Sequence, residues 1–113
     1  MEIKNAKITG TKLGREDHGI FTFMIWVETD TFSTGIGGFG LDYFNKDDSK
    51  RVYEVKGLEA ISSILDVVGV ENWEDLIGKY IRIKYEGRNQ PIYEIGNLIK
   101  DRWFNLKEFF SED

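Results

Sequence analysis

Four glycines fall within six residues in the segment Thr34-Gly-Ile-Gly-Gly-Phe-Gly-Leu-Asp42. Glycine admits positive φ and lets a ligand or another backbone come close, but it costs more backbone entropy on folding than any other residue. A run of glycines therefore answers a geometric demand. It is either a turn or bulge, or a loop whose N–H groups at Gly37, Gly38 and Gly40 face a ligand. A little further on, Arg51 and Lys56-Gly57 lie just before a helix expected to start at Leu58. A helix N-terminus offers unpaired N–H groups and a partial positive charge, so an anion could be held there with Arg51 or Lys56 as counterion. Joined to the glycine N–H groups, that start could cradle a phosphorylated small molecule. The glycines match neither a P-loop nor a dinucleotide fingerprint, because the required lysine and the strand-to-helix context are missing. Phe39 and Tyr43 alternate with the glycine segment and would either stack on a base or plug the core.

Glu16, Asp17 and His18 form an acid-rich turn holding the only histidine. No second histidine and no cysteine exists to complete a metal site with it. Ser33, Ser62 and Ser63 stand outside any nucleophile motif. The residues thus point to a binding protein rather than an enzyme, with no metal and no cofactor.

The elements that must position these residues are legible in outline. Ile3, Ala6, Ile8 and Leu13 mark a first strand over Glu2 to Leu13 that bends near Gly10, and Arg15 to Gly19 reads as a polar turn. In the next strand, Ile20 to Glu28, Phe21, Phe23, Ile25 and Val27 alternate with Ile20, Thr22, Met24 and Trp26. Both faces read as mostly buried, and the strand as central to its sheet. Asp30 to Gly35 connects to an extended segment over Gly37 to Phe44, and Arg51 to Val55 is a further short extended piece. Leu58, Ile61, Leu65 and Val68 then recur at helical spacing, with Gly69 as terminator. Asn72 with Glu74 and Asp75 starts a short helical turn that ends at Gly78. Ile81, Ile83 and Tyr85 face inward on a strand that turns at Gly87-Arg-Asn89, and Ile92 to Ile99, with Pro91 at its start, returns antiparallel. Trp103 to Phe110 is aromatic, with Asn105 as a cap for a last helical turn. The expected fold is a single α+β domain over residues 1–113: a curved, mostly antiparallel sheet of about five strands packed by one main helix.

The chain has 113 residues, enough for one real core. With no cysteine, disulfides and thiolate chemistry are excluded and a reducing cytoplasm is expected. Neither a membrane-length apolar run nor a signal peptide is expected. A net charge of −5 argues against general nucleic-acid binding, which needs clustered lysine and arginine. An acidic surface could instead occupy a basic cleft on another protein. A homodimer pairing edge strands or helices also fits.

Glu16-Asp-His-Gly-Ile20, Gly37-Gly-Phe-Gly-Leu-Asp42, Val68-Gly-Val-Glu-Asn-Trp-Glu-Asp-Leu-Ile-Gly-Lys-Tyr-Ile-Arg82 and Ile95-Gly-Asn-Leu-Ile-Lys-Asp-Arg-Trp-Phe104 together resemble a family of small proteins encoded by bacteriophages and prophages. The resemblance implies an accessory role, exerted by stoichiometric binding in the host cytoplasm. One expectation is that the protein counters host antiphage defence by sequestering a nucleotide-like signal, with Asp17 or Asp42 reaching ribose hydroxyls or base N–H groups. The alternative is direct, nuclease-inhibitor-like binding to a host defence protein, for which the acidic balance counts. A structural or DNA-metabolism accessory role is a third. Ligand sequestration is the expectation the residues favour narrowly.

Overall fold

The longest strand, β1 (Glu2–Glu16), belongs to both halves of the main sheet. Its first half pairs antiparallel with β6 (Tyr80–Tyr85), and its second half with β2 (Ile20–Glu28). The register shifts between Ile8 and Gly10, so Thr9 is an extra residue, and its hydroxyl donates to the Trp26 carbonyl at 3.3 Å. Such a bulge bends and twists the strand, which is the bend expected near Gly10. The computed structural model that shows this describes residues 1–16 and 18–111.

With β3 (Ser33–Gly40), β7 (Glu94–Gly96) and β8 (Trp103–Asn105), the six-stranded sheet runs β3-β2-β1-β6-β7-β8, antiparallel throughout. A separate hairpin pairs β4 (Asp42–Asn45) with β5 (Lys50–Tyr53). Helix α1 (Val55–Val68), a 3₁₀ turn at Trp73–Leu76 and the short helix α2 (Leu106–Phe110) complete the single α+β domain. No helix among the described residues is long and apolar enough to cross a membrane.

The core lies on one face of the sheet. Ala6, Ile8, Phe23, Ile25, Val27, Ile36, Ile81, Ile83 and Ile95 meet Ile64 and Val67 of α1, Leu76 and Leu106. Each of the larger side chains contributes about 1.5–3 kcal/mol by leaving water. The ends of the curved sheet are drawn together by aromatic contacts: Phe32 stacks on Tyr85 at 4.8 Å, and Phe39 on Phe110 at 4.8 Å. Local signals hold as expected at two helix ends. Gly69 takes the left-handed conformation (φ 91°) and donates to the Leu65 carbonyl, and the Asn105 side chain accepts from the Glu108 N–H at 2.9 Å.

Three expectations need correction. The buried stripe of α1 is Gly57, Ala60, Ile64 and Val67 rather than Leu58, Ile61, Leu65 and Val68. Ile61, Leu65 and Val68 flank the core, and Leu58 is 73% exposed. The first turn of the helix buries Gly57 because the chain approaches closely there: a Cβ at Gly57 would lie 2.9 Å from the carbonyl oxygen of Leu41, in the link between β3 and the hairpin. Secondly, β2 is interior but buried chiefly on one face, with Trp26 41% exposed. Trp26 and Met24 instead lie over Gly35, the residue paired with Trp26 on β3.

Thirdly, the return strand is only Glu94–Gly96 and does not begin at Pro91. Asn97 then turns the chain: its side-chain oxygen accepts from the N–H groups of Ile99 and Lys100, and its amide donates to the Val67 carbonyl at 2.9 Å. Arg82 fastens the turn by donating to the carbonyls of Asn97 and Lys100. The chain doubles back into β8, so the sheet gains a strand and Ile99 is left 86% exposed.

Candidate functional site

The glycine segment is a bulge in β3. Register with β2 shifts between the pairs Thr22–Gly40 and Met24–Gly37, so Gly38 and Phe39 together oppose Phe23. Gly37 (φ 127°) and Gly38 (φ 84°) hold conformations that side chains resist. A Cβ at Gly37 would lie 2.7 Å from the Phe23 carbonyl oxygen, whereas one at Gly38 would meet nothing nearer than the Met24 sulfur at 3.7 Å. The Thr22 hydroxyl donates to the Phe39 carbonyl at 2.6 Å and fixes the bulge. The space in front of Gly37 is thus taken by Phe23.

After the bulge, Leu41 carries the chain into the β4–β5 hairpin and Asp42 turns its carboxylate inward, 1% exposed. Arg51 meets it with two bonds, Nε to Oδ2 at 2.7 Å and Nη2 to Oδ1 at 2.8 Å, and the Phe21 N–H donates to Oδ1 at 3.2 Å. The Arg51 bond holds the Asp42 carboxyl below its ordinary value, with the Phe21 N–H assisting and burial opposing; the same pairing raises Arg51. Asp42 and Arg51 therefore satisfy each other.

The other expected residues disperse. Phe39 stacks on Phe110 and lies near Tyr93, on the core side. Tyr43 is 48% exposed on the face of the hairpin opposite to Asp42. Lys56, which together with Gly57 lies inside the first turn of α1 rather than before it, sets its ammonium over the Phe109 ring at 5.2 Å. His18 sits in the β1–β2 turn with φ 59°, and Gly40 pairs with Thr22. Asp17 lies outside the described residues. The glycine segment and the start of α1 do meet, but through Leu41: its carbonyl accepts from the Glu54 N–H at 3.3 Å, and Gly57 is pressed against it.

What the meeting creates is an apolar notch of about 270 Å³, walled by Leu13, Phe21, Leu41, Tyr53, Gly57, Leu58 and Ile61, with Glu54 at its edge. The Tyr53 ring packs edge-on against Phe21 at 6.1 Å. Of the notch's own walls, large apolar side chains stand in water: Leu58 at 73%, Tyr53 at 64%, Leu13 at 37%; Val55, next to Glu54 in the chain, is also 73% exposed. Phe44, paired with Arg51, adds a further exposed ring on the Tyr53 face of the hairpin. An anion would meet Glu54 here and a guanidinium already paired.

Sequence reasoning passed over Tyr53, Val55 and Leu58 as surface features. The available signal was the small pair Gly57 and Ala60, three apart on one helical face, which puts Val55 and Leu58 off the buried stripe. Among the described residues no three metal-ligating side chains gather. Compared with protein-family models, curated proteins and solved structures, the chain matches none of them.

Proposed function

We propose that the protein works by stoichiometric docking on another protein, and that the notch at the start of α1 receives one anchoring side chain of that partner. The observation that carries this reading is that Leu13, Tyr53 and Leu58, all exposed, line an apolar notch. Contiguous exposed apolar surface of this kind marks interaction sites, and interfaces are built around a large side chain seated in a dry pocket with a polar rim. A volume of about 270 Å³ falls below the usual range for small-molecule sites and suits a single side chain. Glu54 at the edge, Glu59 on the adjoining turn and the net charge of −5 favour a partner whose anchor is flanked by basic residues. A second copy of this acidic chain would bring like charge to the same place. Given the resemblance to phage-encoded proteins, the partner class is a host defence protein.

Sequestration of a nucleotide at the glycine segment and the helix start draws less from the geometry, since Arg51 is committed to Asp42 and Phe23 fills the front of Gly37. The deciding experiment compares wild type with Leu58→Lys and Tyr53→Ala in affinity capture from host lysate, alongside light scattering of the purified protein. Capture of one specific protein by wild type and its loss in both folded variants supports docking. Undiminished capture by both variants, or a stable dimer that they abolish, rejects it.

A further inference from the structure

At the far end of β2 from Phe21, the β2–β3 connection faces the β6–β7 connection across a groove of about 590 Å³. That volume lies within the range of small-ligand sites. Phe32 and Tyr85, stacked at 4.8 Å with their planes 30° apart, form its aromatic part. Thr31, Ser33 and Thr34 supply hydroxyls from one wall, and Arg88, Asn89 and Gln90 supply a guanidinium and two amides from the other. These polar side chains make no hydrogen bond or ion pair with the described residues, so their donors and acceptors are open to a ligand.

The charge distribution narrows the ligand. The chain carries 20 Asp and Glu against 15 Lys and Arg, yet among the described residues the groove lining contains no carboxylate and one cation, Arg88. Carboxylates appear just outside it. Glu2 and Asp30 line one neighbouring depression, where Lys4 lies 3.7 and 3.5 Å from their carboxylates, and Glu2 and Glu86 line another together with Met1. A single anionic group is therefore welcome at Arg88. Side-chain amides present a donor and an acceptor side by side, matching the edge of a nucleobase, and aromatic rings offer it a stacking surface.

We infer that this groove binds a mononucleotide, with the base against Phe32 and Tyr85 and beside the amides of Asn89 and Gln90, and the phosphate at Arg88. This site is separate from the notch at α1, and its test does not depend on the docking reading. Asn89 has φ 67°, so Asn89→Gly removes the amide while keeping a residue at ease in that conformation.

The test is a titration of ¹⁵N-labelled protein with AMP, GMP, CMP and UMP, with inorganic phosphate and the free nucleosides as controls. The expected result is a saturable set of shifts at the amides of residues 31–34 and 87–90 with at least one nucleotide. Arg88→Ala should weaken the binding of that nucleotide about tenfold, the equivalent of one charge-assisted hydrogen bond, and leave its nucleoside unaffected. Asn89→Gly should weaken both. The inference is overturned if no nucleotide gives saturable shifts, if the shifts map elsewhere, or if either folded variant binds like wild type.

Discussion

Arg51 lays its guanidinium along the Asp42 carboxylate, with bonds of 2.7 and 2.8 Å, while the Phe21 N–H holds the same carboxylate at 3.2 Å. Three segments are joined at one buried charge: β2 of the main sheet and both strands of the small hairpin. The pair holds the hairpin that carries Tyr53, and so shapes the apolar notch without contributing a surface to it.

Arg51→Ala should be strongly destabilising, by about 3 kcal/mol, because it leaves the Asp42 carboxylate buried without its counterion. The sequence places Arg51 at the surface, where its removal would be silent, so the variant separates the two views. Urea denaturation of Arg51→Ala against wild type measures the difference. A change within about 0.5 kcal/mol, the usual range for surface sites, would show that the pair contributes nothing.

Stability should fall in acid through the same residue. The folded-state value of Asp42 lies below the ordinary 3.8, so its contribution is fully present well above pH 3.8 and is lost as the pH falls through the folded-state value. Chemical denaturation between pH 2 and about 7 should show this loss in wild type and a flatter curve below about pH 4 in Asp42→Asn.

Gly37→Ala and Gly38→Ala should differ although both residues have positive φ. Alanine at Gly38 makes only an ordinary contact with the Met24 sulfur and bears the conformational cost alone, about 1–2 kcal/mol. At Gly37 the added carbon also collides with the Phe23 carbonyl, so the loss should be clearly larger. Melting curves of the two variants rank them, and equal losses would rule out the bulge geometry.

The orientation of α1 is tested by Ile64→Ala and Leu58→Ala. Ile64 is fully buried and its truncation should cost about 2–5 kcal/mol. Leu58 stands 73% exposed, and its truncation should change stability by less than about 0.5 kcal/mol. The reverse ranking would restore the stripe through Leu58, Ile61, Leu65 and Val68.

Features governed by short-range sterics were written in the chain. The α+β class, the alternation of Phe21 to Val27, the stop at Gly69, the cap at Asn105 and the bend at Gly10 each depend on a few neighbouring residues. The glycine run announced an unusual backbone, but its local sequence could not say whether a ligand or Phe23 would fill the space before Gly37. Contacts between segments decided the rest. Arg51 lost its place in an expected anion site because Asp42 came within reach across the hairpin, and Leu58 was turned to water because Gly57 lets α1 close on Leu41. The return strand was cut short at Gly96 by the Asn97 turn that Arg82 and Val67 hold. Periodicity fixes which residues share a helical face, but the face that packs is chosen by the surface it meets. That surface exists only once the sheet has assembled, with β7 and β8 brought in from the far end of the chain.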